Sequence, residues 1–444
     1  MKKFAHCTFA LFLLHTLHAA AQTIPETIDE LLSSYAKQNF FNGTVLVARK
    51  GSILLNKGYQ WPDRKQEQKA DSNTIFQIGS LTKQFTAAAV LQLAEKKILF
   101  LEDRLSKYIP DFPNGDSIRI KNLLDHSSGI FDFVNDTTFM RNHASGRVSL
   151  DSLINRFKFK PLLFKPGSRH AYSNSNYILL GRIIEKSSGK SYFQFVRENI
   201  FNPIQMSRSG FDFHSLNSRN RATDHFKDPG GALDSTLSYA AASAYSTASD
   251  LYKWDRALYG SHLLSDSMRE LMFTAQGSNF GYGWFVDSNS GKKVAMDQGN
   301  ISGFASFIAR SPSEEICIIL LDNGPCPALA KIGEEINDII HDQPFSWPQV
   351  RPEIVVDPRI LREYVGQYRI QPNYIITITL ENGHLNVQTT SRDKLELHAE
   401  RENFFFVKML DIQITFVRDE KGKVIKLTLS QEGMELEADR IGLP

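Results

Sequence analysis

Ile78-Gly79-Ser80-Leu81-Thr82-Lys83 leads directly into Gln84–Leu93, where Phe85, three alanines, Val90, Leu91 and Leu93 leave no continuous polar face. An apolar run of this length predicts a helix buried on all sides. Ser80 falls at its first turn, where backbone N–H groups have no partner inside the helix. Lys83, three residues on, shares its face. A hydroxyl and an amine are thus held together at the mouth of a dry element. Burial there lowers the lysine pKa and lets the amine act as a base. Ser34/Lys37, Ser187/Lys190, Ser290/Lys293 and Ser391/Lys394 have the same spacing, but they read as polar surface and lead into no buried helix.

Upstream, Lys2 and Lys3 precede an apolar segment, Phe9–Leu17, and then His18-Ala19-Ala20-Ala21-Gln22. A basic start, a short apolar core and a small-residue site predict a signal peptide over residues 1–21, cleaved after Ala21. The core is too short for a stable membrane anchor, so the expectation is an exported protein, periplasmic or extracellular. Without residues 1–21, basic and acidic residues balance, and nothing in the charge asks for nucleic acid or an anionic membrane. Cys317 and Cys326 then remain. A bridge between them is conceivable, but two cysteines make no disulfide framework.

The chain divides by texture. An amphipathic helix (28–35) and a β-hairpin (44–48 and 53–59, turning at Arg49-Lys50-Gly51-Ser52) come first. A mostly helical stretch, punctuated by Pro110, Pro113, Pro161, Pro166 and Pro203, runs from about 100 to 275. Strands return at 284–287, 293–296, 304–310 and 316–321, and a helix at 328–340 closes the region. Strands at both ends predict an α+β domain over residues 22–341, with one antiparallel sheet, flanking helices and a helical subdomain, and with the site at the seam. Residues 342–358 carry four prolines and read as a linker. Seven short alternating strands between 374 and 438 make residues 359–444 a small all-β domain, a meander sheet or barrel.

A serine activated by lysine needs a group to return the proton to the leaving atom, something to hold that group, and paired N–H donors for the oxyanion. Tyr172 and Asn174, in His170-Ala171-Tyr172-Ser173-Asn174, are candidates for the first two. In order, Ser80-x-x-Lys83, Tyr172-x-Asn174 and Asp297-Gln298-Gly299-Asn300-Ile301-Ser302-Gly303-Phe304 resemble the motifs of the serine β-lactamase and penicillin-binding-protein superfamily. The likeness is to the branch of class C β-lactamases, D-aminopeptidases, D-alanyl-D-alanine carboxypeptidases and esterases. Leu123–Gly129, Phe164–Gly167, Ser246–Leu251 and Gly281–Trp284 match that branch too.

The resemblance implies roles. Ser80 is the nucleophile, Lys83 its base, Tyr172 a proton shuttle, and Asn174 a support for lysine and substrate. Gly299 lines the cleft, and the N–H of Asn300 joins that of Ser80 as oxyanion donor. Asp297 and Gln298 begin the cleft strand and are expected to face substrate. Asp297 departs from the pattern, since the family has Lys or His there to hold a substrate carboxylate. The expectation is an exported serine hydrolase acting on an ester or amide of a small molecule or peptide through a Ser80 acyl-enzyme. A non-catalytic binding protein and a true β-lactamase or D,D-carboxypeptidase are the alternatives. No metal or cofactor is called for, since H-E-x-x-H and C-x-x-C are missing from the sequence, and the absence of G-x-S-x-G argues against a Ser-His-Asp hydrolase of the α/β type. His126 reads as a turn brace, Asp250 as a helix start, and Trp254 and Trp284 as packing, with Trp284 at the cleft rim.

Overall fold

The computed structural model describes residues 22–443 apart from 63–68, 137, 141–145, 224–233, 276, 288–290, 302, 325, 327, 350, 372–373, 390–393, 409, 411 and 432–433. The signal-peptide reading of residues 1–21 lies outside them, as do Ser290, Ser302 and Ser391.

The hairpin Gly43–Arg49/Ser52–Gly58 forms as its turn chemistry requires, with Lys50 and Gly51 both at positive φ. Its inner strand pairs antiparallel with Ile316–Asp322, Val47 opposite Ile318. Phe304–Ser311, Val294–Ile301 and Phe285–Asp287 follow outward, completing a six-stranded antiparallel sheet built from both ends of the domain.

Alternation along these strands sends side chains to two faces. Val45, Val47, Ile318 and Leu320 pack against helices Ile24–Lys37 and Leu329–Ile340. Leu46, Ala48, Ile319 and Leu321 face the helical region. Helix Thr82–Glu95 runs through the middle of that second core, every residue from Thr82 to Leu93 buried. Phe85 is wedged between Phe201 and Trp254, with ring centroids 5.0 and 4.9 Å away. A buried phenylalanine of this kind contributes about 1.5–3 kcal/mol.

The C-terminal region is a closed eight-stranded barrel. The expected seven strands lacked Gly366–Gln371, which pairs with both Tyr374–Glu381 and Met434–Gly442 and thereby closes the ring. Helix Pro358–Tyr364 is an addition to the expected elements: it is about two turns following a proline-rich stretch, too short for a periodic signal. Tyr364, Tyr368, Phe405, Phe416 and Leu427 fill the barrel, with Tyr364 stacked on Phe416 at 4.1 Å.

Three smaller expectations can be placed, of which the rim position of Trp284 needs correction. Cys317 and Cys326 are both buried free thiols; Cys317 lies in the sheet and Cys326 sits against the Phe40 carbonyl. Trp284 is fully buried on Phe273, not at a rim. Thr247 caps helix Ala248–Ala257, and Asp250, in its first turn, accepts from the Arg208 N–H and the Ser209 hydroxyl.

Candidate active site

Ser80 occupies a 3₁₀ turn, Gly79–Leu81, that precedes the buried helix. Gly79 has φ +50°, a left-handed conformation that suits glycine. The turn is tied down on both sides. Ser306 donates to the Ile78 carbonyl at 2.8 Å, Thr82 donates to the Gly79 carbonyl at 2.7 Å, and the Ala244 N–H donates to Thr82 Oγ1 at 3.0 Å.

Lys83 Nζ lies 3.1 Å from Ser80 Oγ, 2.9 Å from Asn174 Oδ1 and 3.0 Å from the Ala241 carbonyl. Only 1% of the residue is exposed. Desolvation holds its pKa below the ordinary lysine value, opposed by the charges of Asp297 and Asp132. A neutral amine has two N–H bonds and one lone pair. Asn174 Oδ1 and the Ala241 carbonyl can only accept, so the lone pair is left for the Ser80 hydroxyl. Tyr172 approaches the same oxygen from the other side, its hydroxyl donating to Ser80 Oγ at 3.0 Å. Tyr172 as a whole residue is partly exposed, but burial around its hydroxyl and then the Asp297 charge push the phenol pKa upward.

Asn174 begins helix Asn174–Ser188 and is held by a residue that sequence reasoning missed. Asp132 accepts from its backbone N–H and from its Nδ2, both at 3.1 Å. That turns Oδ1 toward Lys83. The available signal was an acid amid Ile130-Phe131 and Phe133, directly after a Ser-Ser-Gly turn, since unpaired carboxylates are rarely buried.

The cleft strand alternates as a half-buried strand must. Asp297, Gly299 and Ile301 point inward, Gln298 and Asn300 outward. A side chain on Gly299 would meet the Ile78 carbonyl oxygen at 2.1 Å and the Ser80 nitrogen at 2.9 Å. One on Gly79 would meet the Asn300 nitrogen at 2.9 Å. The two glycines therefore let the Ser80 and Asn300 amides come together. Asp297 is 4% exposed. Its carboxylate accepts from Gln84 Nε2 at 3.2 Å and from the Gln298 N–H at 2.9 Å. Desolvation raises its pKa, and Lys83 pulls the other way. Gln84 in turn accepts from Trp254 Nε1 at 2.9 Å.

A serine and a lysine on one helical turn, faced by a tyrosine, an asparagine and two clustered backbone amides, form the constellation of the serine β-lactamases and penicillin-binding proteins. Residues 26–337 match the Beta-lactamase family, and the chain belongs to it. Residues 350–440 match a domain of unknown function, DUF3471. Over 94% of its length the chain is 28% identical to penicillin-binding protein 4* of Bacillus subtilis (strain 168), covering 98% of that protein. The octameric penicillin-binding protein homologue from Pyrococcus abyssi has a similar fold: TM-score 0.65 and 23% identity, over 93% of this chain and 99% of that one. The D-amino acid amidase from Ochrobactrum anthropi SV3, solved with L-phenylalanine amide, superposes with TM-score 0.62 at 21% identity over 72% of this chain and 99% of its own.

Proposed function

We propose that the protein is an exported serine hydrolase that cleaves an ester or an amide of a small molecule or short peptide through an acyl-enzyme on Ser80. The observation that carries this reading is the setting of Lys83: Nζ lies 3.1 Å from Ser80 Oγ and its two other partners can only accept, so in the amine form its lone pair is left for the Ser80 hydroxyl. Lys83 takes the Ser80 proton as Oγ bonds to the substrate carbonyl carbon. The oxyanion is held by the N–H groups of Ser80 and Asn300, and losing one such donor costs about 3–4 kcal/mol. Tyr172 delivers a proton to the leaving atom, and the Lys83 ammonium restores the phenol. Water then attacks the acyl carbon and frees Ser80.

Asp297 supports a substrate class. An acid stands where the family has a cation, so the site lacks the partner for a substrate carboxylate. Neutral esters and amine-bearing amides are the favoured substrates, and penicillins and cephalosporins poor ones. The basic start, short apolar segment and Ala19-Ala20-Ala21 support export.

Labelling with a fluorophosphonate tests the reading. Wild type should label and turn over activated esters. Ser80→Ala should do neither while melting at the same temperature, and Lys83→Ala should lose about 10²–10⁴-fold, the usual worth of a positioned base. Undiminished hydrolysis in Ser80→Ala would dispose of the nucleophile. A folded wild type inert to the probe would make the protein a binding protein instead.

A further inference from the structure

Tyr172 is not on a regular element. It lies in the irregular stretch between helices Leu150–Lys158 and Asn174–Ser188, so no backbone ladder sets where its hydroxyl points. Instead the stretch is fastened to the turn His126-Ser127-Ser128-Gly129 at successive points. The Leu163 N–H donates to the Gly129 carbonyl at 2.8 Å, the Gly167 N–H to Ser127 at 2.8 Å, and the Ala171 N–H to His126 at 3.0 Å. One further bond is made by a side chain. The Ser173 N–H donates to His126 Nδ1 at 3.1 Å.

His126 thus holds both neighbours of Tyr172, Ala171 through its carbonyl and Ser173 through its ring. Its imidazole also lies against the Tyr172 ring, with centroids 4.4 Å apart and planes 33° from parallel. Phe280 also packs against the imidazole, edge-on at 4.7 Å and about a quarter-turn round from Tyr172. His126 itself is fixed. It is fully buried, has φ +57°, and its Nδ1 lies 3.2 Å from Asn176 Nδ2. With Nδ1 accepting, the ring proton is assigned to Nε2, which has no hydrogen-bond partner among the described residues. Burial keeps the imidazole neutral, and protonation of Lys83 presses the same way. It is therefore unsuited to trade protons with substrate.

We infer that His126 is a positioning residue for the leaving-group proton: its Nδ1 and ring face set the Tyr172 hydroxyl against Ser80 Oγ. This rests on the reading of Tyr172 as proton donor. Proper placement of a donor matters because proton transfer requires hydrogen-bond reach, which a small displacement forfeits.

The test is a series of esters with one acyl group and alcohols of rising pKa, from nitrophenol to ethanol, assayed with the full chain. Tyr172→Phe should lose little on the nitrophenyl ester and about 10²–10⁴-fold on the alkyl esters. His126→Phe keeps a ring but no acceptor. It should show the same graded loss, smaller by about tenfold because the donor is displaced and not removed, with fluorophosphonate labelling of Ser80 retained. His126→Asn, which tolerates positive φ and offers an amide oxygen near the Nδ1 position, should recover most of the alkyl-ester rate. The double variant Tyr172→Phe/His126→Phe should lose no more than Tyr172→Phe alone. If His126→Phe does not fold, His126→Gln, whose amide oxygen sits one bond too far out, must give the graded loss. A loss equal across the series in the His126 variants, beside a graded one in Tyr172→Phe, overturns the inference and leaves the function reading intact. A flat series in Tyr172→Phe removes the donor assignment and the inference with it.

Discussion

Gln84 Nε2 donates to the Asp297 carboxylate at 3.2 Å, joining the buried helix to the cleft strand one residue beyond Lys83. Because Asp297 is also desolvated and charged toward Lys83, it acts on the site from behind, through the field at the lysine. An anion there favours the ammonium form of Lys83, and catalysis needs the amine. Asp297→Asn removes that charge and should lower the Lys83 pKa further. The acidic limb of the kcat/KM–pH profile should then move to lower pH. A limb that stays in place would show that Asp297 does not govern the base.

The same residue bears on specificity. Asp297→His should raise the rate of acylation by β-lactams relative to a neutral ester, because a carboxylate-repelling charge is gone and a potential cation is in place. Measuring both acylation rates by stopped flow decides it. An efficient β-lactamase activity in the wild type would contradict the argument outright.

Asp132 supports Asn174 with two hydrogen bonds at 3.1 Å. Asp132→Ala leaves a buried N–H and amide without their acceptor, a loss of about 1–3 kcal/mol for such groups. Asn174 Oδ1 should then turn from Lys83, and kcat should fall about 10–100-fold, a rise of about 1.4–2.7 kcal/mol in the barrier. Activity within twofold of wild type would mean that Asn174 keeps its orientation by other means.

Asp322 is buried at the end of its strand, its two oxygens accepting from the Asn42 N–H at 2.7 Å and the Gly324 N–H at 2.6 Å. No cation is among the groups that shift it, and burial pushes its pKa up to about 7. The folded pKa thus stands above the unfolded one. The contribution of this group is fully present below about pH 4, where both states hold the proton. It is lost as pH rises to 7, as the unfolded chain ionises first. Relative to Asp322→Asn, wild type should lose stability between pH 4 and 7, with a constant difference above that. Urea midpoints across the range measure it; a difference independent of pH would refute the assignment.

The barrel and the sheet domain have separate apolar cores, touching through residues such as Leu410. A chain ending at residue 349 should therefore be soluble and should hydrolyse small activated esters at an altered rate. Circular dichroism and a nitrophenyl ester assay suffice; an unfolded product would make the two parts one cooperative unit.

The amino-acid sequence by itself determined the elements whose pattern is local. The apolar run after Ser80 specified a buried helix, short β-rich runs specified the strands on both sides of it, and the ordered motifs at Ser80, Tyr172 and Asp297 specified the family. Tertiary structure decided what depends on contacts between distant residues. Gly366–Gln371 becomes a strand because it has two partners to close a ring, and its own alternation is faint. Asp132 and the Ala241 carbonyl matter only because the fold brings them to Asn174 and Lys83. Asp297 reads in sequence as a residue facing substrate. The fold sets its carboxylate inward on Gln84, because the pleat of the strand sends that position to the same side as Gly299. Hydrophobic periodicity is written along the chain, whereas the aim of a single polar side chain depends on which partner the packed structure leaves within 3 Å of it.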